Sequence, residues 1–407
     1  MAFSYYLYLI TYKERNAINM LRYFFPILLL ITFSAFSHAK DCQFDDVTFH
    51  SDFSTARLST CERLAKHEYH IGILPENEPV NPSPWFGFKV QSKTDSKVKI
   101  KLTFNGNNPR YLPKLSTNGK DWQNIPFETK GKEMWLSLST GKKPVWISAQ
   151  EVIDNQEYDQ WLARLKAQRP ELHIETLGSS EKGRPIKAVV KQSPNNDEWL
   201  IIVGRQHPPE VTGAMALFAF SEALLLDNTL SNPFFKRFNL LMVPDLNPDG
   251  VHTGNWRHNA NGVDLNRDWK NFAQAETRLV RDKMASIVQN GGKIVFALDF
   301  HSTFHDVFYT MPDDHDLAPI PLMKGWLADL DAETGWVFKT VNKSASSPDR
   351  GIFKQYIADH YKVHAVTYEV GDNTNRQLIP YVAKKAAKAL VKNLLEVEPD
   401  AFYVKQK

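Results

Sequence analysis

Apolar and polar residues alternate through the first third of the chain beyond residue 40. Val98-Lys99-Ile100-Lys101-Leu102-Thr103-Phe104 repeats with period two, the pattern of a strand with one buried face, and Asn105-Gly106-Asn107-Asn108-Pro109 ends it. Trp85–Val90, Met134–Leu138 and Val145–Ile147 read the same way. Short strands separated by Gly, Asn and Pro predict a small antiparallel β-sandwich over 40–150.

From about residue 151 the periodicity changes. Tyr158, Trp161, Leu162 and Leu165 share one face of a helix predicted over 158–166. Strands are predicted at 174–177 and 186–190, and a fully apolar one at Trp199–Val203. An Ala-rich helix follows at 211–225. Buried strands at Phe238–Val243, Ile294–Leu298 and Val363–Tyr368 each stop just before polar residues, and a Lys-bearing helix at 381–395 closes the series. Alternating strands and helices predict an α/β domain over 151–400, a mixed central sheet flanked by helices, with functional residues at strand ends.

The N-terminus adds an export expectation. Met20-Leu21-Arg22 supplies a start and a positive charge, 24–36 is a mostly apolar run, and Ser37-His38-Ala39 offers a signal-peptidase site. Residues 1–39 therefore read as a signal peptide, with 1–19 as an upstream extension. The run is short for a bilayer span, so no permanent membrane anchor is expected. A periplasmic or secreted protein follows. In that compartment Cys42 and Cys61, the only cysteines, suit a disulfide better than two free thiols. The net charge of +3 over 407 residues excludes a strong general attraction to nucleic acid.

The chemistry lies in the second region. His207-Pro208-Pro209-Glu210 follows a buried strand, and its prolines keep it out of a helix interior. His301 comes about 90 residues later in Leu298-Asp299-Phe300-His301-Ser302. Two imidazoles and a carboxylate can hold one zinc ion and leave a position open for water. Each residue alone is weak evidence. The weight comes from Asn247-Pro248-Asp249-Gly250, Trp256-Arg257, Val263-Asp264-Leu265-Asn266-Arg267 and Thr367-Tyr368-Glu369-Val370-Gly371, which follow in order.

Taken together, 151–400 resembles the zinc carboxypeptidases of the funnelin type, the family of digestive and cytosolic carboxypeptidases. The β-rich region resembles, more loosely, the β-sandwich that precedes the catalytic domain in the cytosolic-type branch. The resemblance implies one zinc per chain, held by His207, Glu210 and His301. It implies Glu369 as the general base for zinc-bound water and Arg257 as the oxyanion stabiliser. Asn266 and Arg267 would grip the terminal carboxylate of a peptide substrate. The chemistry is coherent on its own terms: zinc acidifies water, a carboxylate takes the proton, and an arginine fork binds a carboxylate bidentately.

Six residues stay secondary. Asp264 is a candidate partner for the second ring nitrogen of His207, or else a turn aspartate. Asp299 shares the face of His301 without an assigned role. His305 reads as structural, because 307–311 looks extended rather than helical. The family's mobile tyrosine has no counterpart in 336–355, and Tyr356 is the nearest substitute. Lys354, with Arg350 close by, falls near the expected base of the specificity pocket. A cation there would favour an acidic C-terminal side chain; the plainer reading is two solvated charges. The competing functions are a zinc deacylase acting on small N-acyl amino acids and a binding protein on a degenerate scaffold.

Overall fold

Eleven short strands between Cys42 and Ser148 form two sheets in the computed structural model, which describes residues 42–319 and 321–402. The expected signal segment, 1–39, lies outside the described residues. One sheet has six strands and contains Val47–His50, Gly87–Ser92 and Val145–Ser148; the other has five, with Glu68–Gly72, Ser96–Thr103 and Glu133–Thr140 at its centre. Phe49, Phe88, Val90 and Ile147 from the first meet Tyr69, Ile71, Ile100, Leu102 and Leu136 from the second in one buried cluster. The alternation at 98–104 therefore marks the inner face of a sandwich.

The sandwich is not wholly antiparallel, because Glu68–Gly72 and Ser96–Thr103 pair in parallel. Between these two strands the chain crosses to the other sheet to form Gly87–Ser92, and it returns pointing the same way. Cys42 and Cys61 form a disulfide with Cα atoms 6.2 Å apart, joining the two sheets at their edges.

Asn155–Gln168 opens the second region as a helix. Asp154 caps it by accepting from the backbone N–H of Gln156 (3.0 Å) and Glu157 (3.1 Å). An eight-stranded mixed sheet follows, in spatial order His173–Ser179, Pro185–Lys191, Phe238–Val243, Glu198–Gly204, Lys293–Thr303, Ala365–Gly371, Val307–Thr310 and Asn342–Ser344. Glu198–Gly204 is buried throughout, as a central strand covered on both faces must be. Leu200 and Ile202 point into a core with the helices Val211–Leu226, Leu322–Thr334 and Leu378–Glu396. Trp199, Ile201 and Val203 point the other way, toward Ala275–Gln289 and Phe353–Tyr361. Among the described residues no single helix is long and apolar enough to cross a membrane.

The strands run further than the apolar pattern predicts. Lys293–Thr303 continues through His301, and Ala365–Gly371 continues through Glu369. The two are parallel neighbours, and His301 sits opposite Glu369 in register. Ladder pairing persists where the side chains turn polar, so hydrophobicity alone stops both strands too early.

Candidate active site

Three elements bring the chemistry together. Glu198–Gly204 leads into the His207–Glu210 turn, and Val211–Leu226 starts immediately after Glu210. The helix start is fixed to the His301 strand: Ser302 Oγ accepts from Gly213 N–H at 2.8 Å and from the Thr212 hydroxyl at 2.9 Å. A Cβ at Gly213 would lie 2.5 Å from the His301 carbonyl oxygen, so only glycine permits this approach. The Asn-Pro-Asp-Gly stretch braces the same turn from below. Asn247 caps the short helix Pro248–Thr253, accepting from Gly250 N–H at 3.0 Å, and donates to the Gln206 carbonyl at 3.0 Å. Pro248 occupies the first helical turn, where its missing N–H costs nothing. Asp249 is buried, taking Arg184 Nη1 and Lys182 N–H at 2.8 Å each.

His207, Glu210 and His301 converge, all buried, with one donor atom from each within 4.8 Å of the others. Glu210 lies between the imidazoles, its two oxygens 2.8 Å from His207 Nδ1 and 2.7 Å from His301 Nδ1. Each Nε2 meets a further carboxylate: Asp264 at 2.9 Å for His207 and Asp299 at 2.7 Å for His301. Such outer carboxylates fix the tautomer, leave Nδ1 free as a donor and raise its basicity, the usual support for histidines that hold zinc. The donor set and its buried, anion-backed setting fit a zinc ion. Among the described residues this is the one such cluster.

Asp299 had no role assignable from sequence. Its Oδ2 also accepts from Gln206 Nε2 at 2.7 Å, and Gln206 in turn takes Trp269 Nε1–H at 2.8 Å. The signal was the i, i+2 spacing on a strand, which places Asp299 and His301 on one face. Asp264 is shared, accepting Arg257 Nε–H on Oδ2 at 2.7 Å. Burial raises its pKa, but His207, Arg257 and Arg267 together hold the carboxyl well below the usual carboxylate range.

Glu369 faces the cluster from the neighbouring strand. Its Oε2 is buried without a hydrogen-bond partner among the described residues. Burial and the Glu210 carboxylate push the Glu369 carboxyl up to about 7, while His301 and His207 pull it down. A half-buried carboxylate with an unused inward oxygen and a raised pKa is suited to proton transfer.

The remaining candidates divide. Arg257 is buried, and its two Nη groups have no hydrogen bond among the described residues. Asn266 is committed: its Oδ1 accepts Phe353 N–H at 2.9 Å and its Nδ2 lies 3.3 Å from His301 Nε2. Arg267 is about one-third exposed, 4.0 Å from Asp264. Burial, together with the Arg350 and Arg257 charges, lowers its pKa against the pull of Asp264. Arg350 is exposed. Lys354 is buried on Phe353–Tyr361, a helix the sequence reading did not identify, and its Nζ donates to the carbonyls of Thr310 (2.8 Å) and Ala345 (2.6 Å). It is therefore not a solvated charge. Burial lowers its pKa to about 8. Tyr356 stacks on Trp269 and packs against Phe272 and Tyr361, as a core residue does. His305 is exposed and outside the metal-binding group.

A mixed α/β sheet carrying a His-Glu-His centre at its strand ends, with a carboxylate facing it, defines a mononuclear metallohydrolase. The sequence profile of the zinc carboxypeptidases matches residues 158–394, and the chain belongs to that family. Cytosolic carboxypeptidase 6 of Mus musculus is 23% identical over 252 residues, covering 55% of this chain and 46% of that protein. The chain spans about half the length of the curated relatives it matches. Two solved structures share the fold. A metallo-carboxypeptidase of Burkholderia cenocepacia superposes with a TM-score of 0.70 at 18% identity, over 86% of this chain and 98% of that one. A metallo-carboxypeptidase of Pseudomonas aeruginosa does so with a TM-score of 0.70 at 19% identity, over 85% and 98%. Zinc is the family's metal, and the donor set found here suits it.

Proposed function

We propose that this protein is a zinc carboxypeptidase that hydrolyses the C-terminal peptide bond of peptides. The observation that carries the reading is Glu369: a half-buried carboxylate whose inward oxygen has no partner among the described residues, in register with His301 and beside a donor set for one ion. Zinc, when bound, acidifies water and polarises the scissile carbonyl. Glu369 takes the proton from the attacking water and returns it to the leaving amine. The unoccupied Nη groups of Arg257 face the developing oxyanion, a contribution worth a few kcal/mol of barrier when removed. Arg267 supplies the fork for the terminal carboxylate. Asn266 orients the site from behind through Phe353 and His301.

The finer reading is a preference for acidic C-terminal residues. It rests on Arg267 and Arg350 lying close enough to repel, and on Lys354, a buried cation with no acidic partner among the described residues. An acidic side chain beside Arg267 and Arg350 would relieve their repulsion, and one reaching Lys354 would pair its charge. Export to the cell envelope rests on the apolar run at 24–36 and the Cys42–Cys61 bridge, and it makes peptidoglycan stem peptides a candidate substrate. Mass spectrometry of a diverse peptide pool, with and without chelator, tests the reaction. Loss of single C-terminal residues only in the metal-loaded sample is expected. Hydrolysis of N-acyl amino acids but of no peptide would establish the deacylase instead. Peptides ending in Glu, Lys and Phe test the pocket: equal rates, or a preference for Phe, remove the acidic preference.

A further inference from the structure

We propose that Glu76, in the β-sandwich, is a positioning residue for Arg257, so that the N-terminal region sets the arginine used by the other. The proposal rests on the reading of Arg257 as the oxyanion-facing group. Glu76 lies in the loop that follows the Glu68–Gly72 strand, and its side chain is 8% exposed. Its two oxygens accept three successive backbone N–H groups from residues some 180 positions away: Trp256 at 2.7 Å, Arg257 at 2.9 Å and His258 at 2.6 Å. Consecutive amides converging on one anion form a rigid nest, and bonds to a charged acceptor are about twice as strong as neutral ones.

The neighbouring residues pin the same loop. Asn77 Oδ1 lies 2.8 Å from His258 Nδ1, and Asn77 Nδ2 donates to the Gly262 carbonyl at 3.3 Å. Arg57 Nη1 donates to Asn255 Oδ1 at 3.3 Å, and Trp256 Nε1 donates to the Trp85 carbonyl at 3.1 Å. Loop residues 255–262 are thus held chiefly from residues 57–85. At its far end the Arg257 side chain is fixed through Nε by Asp264. A clamp on the backbone and another on Nε leave the guanidinium one direction for its Nη groups. A misplacement of about 1 Å at such a group is enough to cost on the order of a hundredfold in rate.

The test is a double-mutant cycle of Glu76→Ala and Arg257→Ala, with kcat, KM, zinc content and Tm measured for each. Arg257→Ala is expected to lower kcat by roughly 10²–10³. Glu76→Ala should lower kcat by about tenfold or more, with zinc content unchanged and KM within about threefold. In the Arg257→Ala background the same change should cost less than about twofold, because its target is gone. Glu76→Gln keeps one acceptor oxygen, enough for the N–H groups of Arg257 and His258 but not for that of Trp256, should restore part of kcat, and serves for the cycle if the alanine variant does not fold. An equal cost in both backgrounds, or parental kcat in the Glu76 variants beside an impaired Arg257→Ala, overturns this proposal alone. Parental kcat in Arg257→Ala overturns the role of Arg257 and this proposal with it.

Discussion

The end of the eight-stranded sheet and the β-sandwich solve opposite problems. At the sheet end, His207, Glu210, His301, Asp264, Asp299 and Glu369 crowd six ionisable groups together, four of them buried. Apolar burial alone would oppose that crowding; a bound cation and shared protons would make it tolerable. In the sandwich the interior is nearly all apolar, and what fixes it is the aromatic core and one covalent bridge. The first region carries reactivity at the expense of stability, and the second carries stability and lends it through the 255–262 loop. Perturbations should therefore separate the two.

The largest effect belongs to the reactive end. Glu369→Gln is expected to lower kcat by about 10²–10⁴ while zinc content stays at one per chain. An active Glu369→Gln enzyme would falsify the assignment of the base. Next is the bridge. Cys42→Ser with Cys61→Ser should cost on the order of 3 kcal/mol in denaturant unfolding, without loss of bound zinc. If zinc is lost along with stability, the two regions are not separable in this way.

Asp299→Asn sharpens the contrast from within the site. It keeps the shape but removes the anion behind His301, and zinc affinity in chelator competition should weaken about 10–100-fold. Unchanged affinity would mean that Asp299 merely fills space. The smallest effect concerns Asp245, a buried acid away from the metal-binding group whose Oδ1 is unpartnered. Burial pushes its carboxyl up to about 7 against the pull of Arg205, whereas an unfolded aspartate titrates near 3.9. The folded state then holds this proton more tightly, so stability declines as pH rises from about 4 through 7 and levels off above. Asp245→Asn removes that decline. Its unfolding free energy should match the parent near pH 4 and exceed it at pH 8, by roughly 4 kcal/mol at most. A gain of the same size at both pH values would show that ionisation is not the cause.

How much of this could be read beforehand follows from the same division. Strands with one or two buried faces, such as Ser96–Thr103 and Glu198–Gly204, carry their structure in their periodicity. Phe127–Lys130 has no buried residue and so no pattern to find. The helix Ala275–Gln289 buries Val280, Met284 and Ile287 at helical spacing, so its signal is legible in the sequence. In the site, residues that must do chemistry have few substitutes and occur in recognisable order. Residues that hold them in place, Glu76 above all, need only an acceptor of the right length, and their partners lie some 180 positions away. No local pattern encodes such a contact.

Asp264 has one further consequence. Because a single carboxylate backs both His207 and Arg257, electron donation to that imidazole and the aim of the cation are set by the same group. Any remodelling of one function through position 264 must alter the other, so enzyme redesign would have to start by giving each its own anion.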